Sequence, residues 1–267
     1  MRHEELELTI LGSGTSTGVP VVGCSCPVCS SSVPQNNRTR CSALIRWQNK
    51  QILLDSSTDF RQQALREGIT QIDAVLFTHA HADHIHGIDD LRVFTVRNEK
   101  IIPIYAATAT LAMIRQGFSY IFTDAPEPGF VPRLETIEAV KPFSLFGLPI
   151  EPLPLQHGDF PCQGYRIGPV AYLTDCNGIP RESRERLSNL ELLVLDGLRL
   201  KPHATHFNLA QAIEAAQEIG ARRTLLTHLS HEVDHERHNR ELPPGIELAY
   251  DGQKVRLPYA SARNNPT

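Results

Sequence analysis

The stretch Thr78-His79-Ala80-His81-Ala82-Asp83-His84 follows the apolar run Ala74-Val75-Leu76-Phe77 and decides how the rest of the chain is interpreted. Three imidazoles and a carboxylate this close together are difficult to explain as packing, because aspartate is almost never buried without a partner. In an extended backbone the first two imidazoles project to the same side. The aspartate stands where a helix can begin, so it and the last imidazole can point back at the same spot. Such a set suits Zn, Mn or Fe, and the stretch therefore predicts a metal site.

The composition is that of an ordinary globular chain of 267 residues, with 41% apolar and 21% charged residues. A formal charge of −4 provides no general attraction for nucleic acid or for an anionic membrane. No apolar stretch approaches the length that spans a bilayer, and the charged start Met1–Glu5 lacks the apolar core of a signal peptide. We therefore expect a cytoplasmic protein with no membrane partner, one domain over residues 1–258, and a disordered tail over residues 259–267.

Short apolar runs that end in an acid or an imidazole recur along the chain. Such runs, bounded by polar turns, are typical of strands buried on both faces. In layered α/β proteins, ligands bind outside the ends of these strands. The residues that follow or end the six runs are Asp55, His79, His157, Asp175, Asp196 and His228.

Several local elements have clear signals. Asn208 is a good N-cap for a helix over Leu209–Ile219, and Gly220 is a stop signal for it. Asp251-Gly252 predicts a hairpin turn between two closing strands. The segment Gly12–Gly18 lacks the glycine spacing of a dinucleotide-binding loop, so we expect a tight turn with exposed backbone N–H groups that can contact phosphate.

The loop Cys24-Ser25-Cys26-Pro27-Val28-Cys29 places three thiols close together. Three thiolates and one imidazole form a closed tetrahedral zinc site, which can hold a loop that has little core of its own. A disulfide is the less favoured alternative, because three cysteines leave one unpaired and the expected compartment is reducing. The other cysteines, Cys41, Cys162 and Cys176, lack metal-ligand spacing.

The motif His79-x-His81-x-Asp83-His84, with the downstream His157, Asp175 and His228, resembles that of the metallo-β-lactamase superfamily. The cysteine loop and the ending Thr227-His228-x-Ser230-His231 are similar to those of its PhnP-type phosphodiesterase branch. This similarity runs from Leu11-Gly12-Ser13-Gly14 to Tyr250-Asp251-Gly252. The resemblance implies an α/β fold, a four-layer αββα sandwich with metals at one edge between two sheets.

The resemblance also implies a division of metal ligands. Two divalent ions, Zn or Mn with Fe as a further option, would be held by His79, His81 and His157 on one side and by Asp83, His84 and His228 on the other, with Asp175 between them. A third ion, a structural zinc, would take His231 as the fourth ligand of the cysteine loop.

The resemblance further implies that Asp83 and His206 are catalytic. His206 matches a substrate-facing histidine of the branch, which would bind phosphate or protonate the leaving oxygen; a loop histidine near a helix start is the alternative. His203 matches less clearly. Asp55 and Asp196 either orient imidazoles or simply cap strands. We interpret the remaining histidines, namely His86, His235 and His238, as surface groups.

The favoured function is a dinuclear phosphodiesterase that attacks small nucleotide or ribose phosphate diesters, expected to be cyclic, with a hydroxide bridging the metals. One alternative is a tRNA 3′-processing nuclease, although no long Gly/Pro-rich arm is visible and the chain is acidic. Another is a non-catalytic carrier resembling PqqB, which the intact motif disfavours. β-Lactam or thioester hydrolysis would rest on the fold alone. Relatives suggest a homodimer, but no interface signature is visible.

Overall fold

The computed structural model describes residues 4–123 and 131–259, and two seven-stranded sheets dominate this part of the chain. The strands of the first sheet are β1 (Glu4–Gly12), β2 (Ser42–Trp47), β3 (Lys50–Leu54), β4 (Ala74–Leu76), β5 (Ile102–Ala106), β6 (Leu134–Glu138) and β14 (Lys254–Tyr259). Those of the second sheet are β7 (Phe143–Leu145), β8 (Leu148–Leu155), β9 (Cys162–Ile167), β10 (Val170–Leu173), β11 (Leu192–Asp196), β12 (Arg223–Thr227) and β13 (Ile246–Leu248).

Seven α-helices lie within the described ranges. They are α1 (Phe60–Arg66), α2 (Ala82–Ile85), α3 (Arg92–Arg97), α4 (Thr108–Gly117), α5 (Arg181–Arg184), α6 (Leu209–Ile219) and α7 (His235–Glu241), and short 3-10 turns cover Pro34–Asn36 and Ile88–Leu91. None of these helices is long and apolar enough to cross a membrane.

The alternation of side chains along the strands explains why the sheets stack. Successive strand residues point to opposite faces, so Leu6, Leu8 and Ile10 of β1 join the apolar cluster between the sheets, whereas Leu11 joins an outer cluster with Phe60 of α1. The outer face of the second sheet packs against α6 in a third cluster. The layers therefore run helix, sheet, sheet, helix, which confirms the predicted αββα sandwich.

The strand order brings the polar strand ends together. In the first sheet the order is β14-β1-β2-β3-β4-β5-β6, and in the second it is β13-β12-β11-β10-β9-β8-β7. β3 and β4 run parallel, and so do β10, β11 and β12. Because parallel strands end at the same edge of a sheet, the residues that follow them lie side by side.

The hairpin predicted at Asp251-Gly252 is wrong. β13 lies in the second sheet and β14 in the first, so this turn carries the chain between sheets. The Asp251 carboxylate instead accepts hydrogen bonds from the backbone N–H groups of Ser13 and Thr39, at 2.8 and 2.9 Å. A local turn signal specifies that the chain reverses, but not which strand each arm then pairs with.

The glycine-rich segment also differs from its prediction, because its N–H groups are used inside the protein. Gly14 donates to the Thr39 carbonyl and Thr15 to the Leu229 carbonyl, at 2.8 and 3.2 Å, so these groups are not available to a phosphate. At the other end of the chain, Tyr259 pairs with Glu4 in β14, one residue beyond the predicted domain end. The rest of the predicted tail, residues 260–267, lies outside the described residues.

The helix predicted over Leu209–Ile219 is confirmed. The Asn208 side chain accepts from the Gln211 N–H at 2.9 Å, and the Gln211 side chain accepts from the Asn208 N–H at 3.1 Å. This reciprocal pair satisfies N–H groups that a helix start leaves without partners. Gly220 ends the helix with φ of 68°, which glycine adopts without steric cost. The start of α6 is therefore rigid directly after His206.

Candidate metal centre

Three imidazoles from two neighbouring turns converge at the edge of the sandwich. His79 Nε2 lies 3.0 Å from His81 Nδ1, and His157 Nε2 lies 3.3 Å from the same atom. His79 follows β4, and His157 follows β8 of the other sheet. Three nitrogen donors are thus directed at one point, as the motif at residues 78–84 predicts.

A second group of donors lies beside the first and is buried: Asp83, His84, Asp175 and His228. His84 Nε2 lies 3.4 Å from Asp83 Oδ2, and His228 Nε2 lies 3.4 Å from the same oxygen. Asp83 and His84 occupy the short helix α2, which begins directly after His81. All seven residues suggested for the two ions are therefore close together.

Asp175 lies between the two groups. Its Oδ1 is 3.2 Å from His84 Nε2, and its Oδ2 is 3.2 Å from His228 Nε2. The same Oδ2 is 3.7 Å from His79 Nε2 in the other group. One carboxylate can therefore contact two cations at once.

The backbone at three of these strand ends is in the left-handed region. Asp55, Asp175 and His228 have φ of 59°, 55° and 60°, which non-glycine residues rarely adopt. Such conformations persist only where surrounding structure holds them, and they cluster at functional sites. Each turns a side chain out of its strand direction at the same edge of the sandwich.

The donors fit a metal ion better than they fit one another. His84 Nε2 is buried and makes no hydrogen bond, although two carboxylate oxygens lie within 3.4 Å of it. Ligands about 2.1 Å from a tetrahedral Zn²⁺ lie about 3.4 Å from one another, which matches these spacings. Atoms that are close but not aligned for hydrogen bonding are expected where a cation occupies the space between them.

The protonation of the two groups differs. Burial, with its charged neighbour His84, holds the pKa of His79 well below its usual value, and burial with His157 lowers the pKa of His81. Burial also lowers the pKa of His228, but the Asp175 carboxylate outweighs it and raises the pKa to about 9. The first group is therefore neutral and ready to bind metal, whereas the second must release protons to do so.

The other ring nitrogen of each supported imidazole has a fixed partner. His84 Nδ1–H donates to Asp55 Oδ2 at 2.8 Å, and His157 Nδ1–H donates to the Thr205 carbonyl at 2.8 Å. His79 Nδ1 lies 3.0 Å from Thr78 Oγ1, which itself bonds Asp55. These contacts leave the opposite nitrogen of each ring free to face a metal.

His206 lies against the second group. Its ring stacks on that of His228, with centroids 4.8 Å apart and planes 8° apart, and meets His157 edge-on at 4.7 Å. His206 Nδ1 bonds Asp196 Oδ2 at 2.7 Å, and the Cys176 N–H donates to the same oxygen. Asp55 and Asp196 thus both contact an imidazole, rather than only ending a strand.

The cysteine loop meets His231 at a separate place on the surface. His231 Nδ1 lies 3.3, 3.6 and 3.5 Å from the sulfur atoms of Cys24, Cys26 and Cys29. The backbone N–H of Cys29 donates to Cys26 Sγ and lowers the pKa of that thiol to about 7. Three sulfurs and one nitrogen within one coordination sphere can hold a zinc ion. All six cysteines are free of disulfides.

The histidines interpreted as surface groups have different environments. His86 is exposed and touches only the edge of Phe118, whereas His235 is half-buried. His238 is buried at 8% exposure, so the prediction is wrong for this residue. Its Nδ1 bonds the Asp234 carbonyl within α7, a contact that helical periodicity would have indicated had the short helix been recognised.

Sequence reasoning missed Phe160. Its ring stacks on His81 with centroids 4.2 Å apart and planes 29° apart, and it remains partly exposed beside the nitrogen donors. An aromatic residue within three positions of His157 was the only available signal. Phe160 therefore limits how water and ligands reach this side of the centre.

Comparisons with known proteins agree with this arrangement. A family model described as the beta-lactamase superfamily domain matches residues 50–229. The crystal structure of a diphosphatase from the PhnP family is 44% identical in sequence, with a TM-score of 0.88, covering 94% of this chain and 97% of that one.

Two curated relatives differ in name. An octanoyltransferase of Porphyromonas gingivalis is 46% identical over 248 residues, covering 91% of this chain but 50% of that protein. The chain thus spans about half the length of that relative. Coenzyme PQQ synthesis protein B of Methylobacterium nodulans is 24% identical, covering 94% of this chain and all of that protein.

Proposed function

The chain belongs to the metallo-β-lactamase superfamily, in its PhnP-type branch, and is a metal-dependent hydrolase; on that premise we propose that it cleaves a P–O ester bond in small phosphodiesters. Membership confirms the resemblance predicted from the motifs. The observation that carries the proposal is the position of Asp175, within 3.7 Å of His79 and within 3.2 Å of His228. A carboxylate shared in this way is what a two-metal hydrolytic centre requires.

We propose the ligand sets that the motifs suggest. One divalent ion would be held by His79, His81 and His157, the other by Asp83, His84 and His228, with Asp175 contacting both. Two such ions supply an activated water and positive charge for the phosphate oxygens. The unbonded, buried His84 Nε2 supports this assignment. A zinc held by Cys24, Cys26, Cys29 and His231 is proposed for the loop.

Asp83 is proposed to orient the attacking water. Burial raises the pKa of this carboxyl, but His84 and His228 outweigh burial and hold it well below its usual value. Asp83 is therefore ionised throughout the neutral range and accepts a hydrogen bond. A water held by it attacks phosphorus, and the bond from phosphorus to the leaving oxygen breaks.

His206 is proposed to protonate the leaving oxygen. Asp196 holds its Nδ1–H at 2.7 Å, which leaves Nε2 to carry the proton that is delivered. The ionised Asp196 carboxylate also stabilises the imidazolium before transfer. A proton from the attacking water restores His206, and the products are a phosphomonoester and an alcohol.

The test is a substrate panel with the purified chain and measured metal content. Bis(p-nitrophenyl) phosphate, 2′,3′-cyclic nucleotides and a diphosphate diester are supplied with Zn²⁺ or Mn²⁺. We expect turnover of at least one phosphodiester. If two ions bind beyond the loop zinc and none of these is cleaved, the proposal is wrong. Cleavage of a precursor tRNA alone would favour a processing nuclease, and binding of the loop zinc alone would favour a carrier.

The name of the Porphyromonas gingivalis relative raises acyl transfer as a second chemistry. Burial raises the pKa of the Cys41 thiol to about 11 and that of Cys162 and Cys176 well above its usual value, which makes them weak nucleophiles. The half of that relative outside the match can carry the named activity. An octanoyl thioester in the same panel tests this, and we expect no transfer.

A further inference from the structure

The segment from Arg199 to His206, called here the basic loop, connects β11 to α6 next to the donor centre. Four of its eight residues are basic: Arg199, Lys201, His203 and His206. Residues 201–204 are exposed, whereas His206 is buried at the end of the loop. The loop therefore brings positive charge and imidazoles from solvent to the reacting centre.

Although exposed, the basic loop is held from several sides. Asn177 Nδ2 donates to the Ala204 carbonyl at 2.7 Å, and His157 Nδ1–H donates to the Thr205 carbonyl at 2.8 Å. The Arg199 guanidinium donates to two carbonyl oxygens of the loop itself. An exposed loop with this many tethers is ordered before any ligand arrives.

His203 has one ring nitrogen engaged and the other free. The Thr205 N–H donates to His203 Nδ1 at 3.3 Å, so the neutral ring carries its proton on Nε2. No described residue accepts a hydrogen bond from that Nε2–H. The ring lies 5.1 Å from that of His206, centroid to centroid. A hydrogen-bond donor is thus held ready one residue-width beyond the proposed proton donor.

We propose that His203 binds a second phosphoryl group of the substrate, on the side of the leaving oxygen. This inference rests on the proposed function, in which His206 meets the leaving oxygen. A group attached beyond that oxygen reaches His203, and phosphoryl oxygens accept strong hydrogen bonds from imidazole N–H groups. The substrate class is therefore a phosphoester whose leaving group carries another phosphoryl, either directly bonded as in a diphosphate or elsewhere on the group.

The charges around His203 favour an anion. Arg199 and Lys201 are on the same loop, and the nearest turn, after His157, carries one exposed carboxylate, Asp159. Two cations and two imidazoles outweigh that single acid, so a second phosphate is attracted rather than repelled.

The experiment compares substrates that differ only in the second phosphate. The metal-loaded full chain is assayed with adenosine 2′,3′-cyclic phosphate, with the same compound bearing a 5′-phosphate, and with diadenosine diphosphate. The last two separate a phosphate elsewhere on the leaving group from one directly bonded. For His203→Ala we expect KM to rise about tenfold or more for a two-phosphate substrate, with kcat and the single-phosphate substrate unaffected.

Two further variants separate binding from loop structure. His203→Asn keeps an oxygen that can accept from the Thr205 N–H but lacks the outer donor, so it should behave as His203→Ala does. His203→Gln places an amide N–H near the position of Nε2 and should retain most of the wild-type KM. His86→Ala, which removes an exposed imidazole outside the loop, is the matched control and should change neither substrate.

The outcomes distinguish the two proposals. If the wild type cleaves no phosphodiester, the proposed function itself fails. If it cleaves both substrate classes and His203→Ala affects them equally, or His203→Asn behaves as wild type, then His203 serves the loop only and this inference is overturned. A KM effect confined to two-phosphate substrates and restored by glutamine supports it.

Discussion

The two donor clusters of this molecule are built in opposite ways. The buried centre takes its ligands from strand ends of both sheets, and its imidazoles are braced by residues such as Asp55 and Thr205. The cysteine cluster takes three donors from one loop and only His231 from elsewhere. The sulfurs of that loop accept only backbone N–H groups, from Val21 and Cys29.

This difference indicates which structure depends on which ion. The sheets place the buried donors before any metal binds, because the strands are held by their own hydrogen bonds and apolar core. The loop over residues 20–31 has little core, so we expect zinc to supply much of its order. The two clusters meet in one short segment, since His228 and His231 are three residues apart.

The largest effect is expected at the shared carboxylate of the buried centre. Asp175→Asn removes the charge that faces both proposed ions, and kcat/KM should fall by about 10³-fold or more, since charge stabilisation of several kcal/mol is lost. Steady-state assays with metal analysis check this. Asp159→Asn, at an exposed position, is the control and should retain activity. Near-normal activity of Asp175→Asn would remove the basis for a two-metal centre.

A second prediction concerns the proton donor next to this centre. His206→Ala should lower kcat by about 10²-fold for substrates with an alkoxide leaving group, the usual contribution of general acid catalysis. With p-nitrophenolate, which leaves without protonation, the loss should be small. Equal losses for both leaving groups would show that His206 binds the phosphate instead.

The bracing of the buried centre gives the third prediction. Asp55→Asn weakens the partner of His84 Nδ1 while keeping its shape, so metal affinity should fall by about 10- to 100-fold. Competition with a chelator of known affinity measures this, and circular dichroism checks the fold. An unchanged affinity would mean that Asp55 only supports the strand end.

The cysteine cluster should respond differently. Cys26→Ser is expected to remove one zinc per chain, to lower the melting temperature and to expose residues 20–31 to protease, because the loop loses its main constraint. Activity should fall only several-fold, through the segment from His228 to His231. Loss of the active-site ions as well would contradict the separation of the two clusters.

The smallest effect is expected far from both clusters, at Asp73. Burial raises the pKa of this carboxyl, but the Gln51 N–H and Lys100 outweigh burial and lower it below its usual 3.8. A lowered folded-state pKa stabilises the protein above pH 3.8, and this stabilisation is lost as the pH falls through the folded value. Asp73→Asn should therefore reduce the free energy of unfolding by about 1 kcal/mol or less at neutral pH and by nothing near pH 2, as denaturant titration can measure. Metal content and activity should not change.

Much of the candidate site was accessible from residue patterns. The motif at residues 78–84, the cysteine loop and the helix after Asn208 each depend on neighbours only a few positions apart, where backbone geometry leaves few choices. The downstream donors His157, Asp175 and His228 were found because each follows a short apolar run. The roles of Asp55 and Asp196 stayed open, since a strand-end acid looks the same whether or not it contacts an imidazole.

The errors share one cause. The Asp251-Gly252 turn joins two sheets instead of forming a hairpin, the N–H groups of Gly14 and Thr15 are used internally, and His238 is buried. Each depends on segments that lie far away in the sequence, so no local pattern contains the information.

The chain alone therefore specifies its strands, its helices and the chemical identity of its donors, because short-range sterics, periodicity and side-chain chemistry act within a few residues. Which donors face each other, which nitrogen of each ring is free, and that Asp175 lies between the two groups depend on how the sheets pair and stack. Those distances arise only when apolar surfaces from both halves of the molecule are buried together, and only the folded structure reveals them.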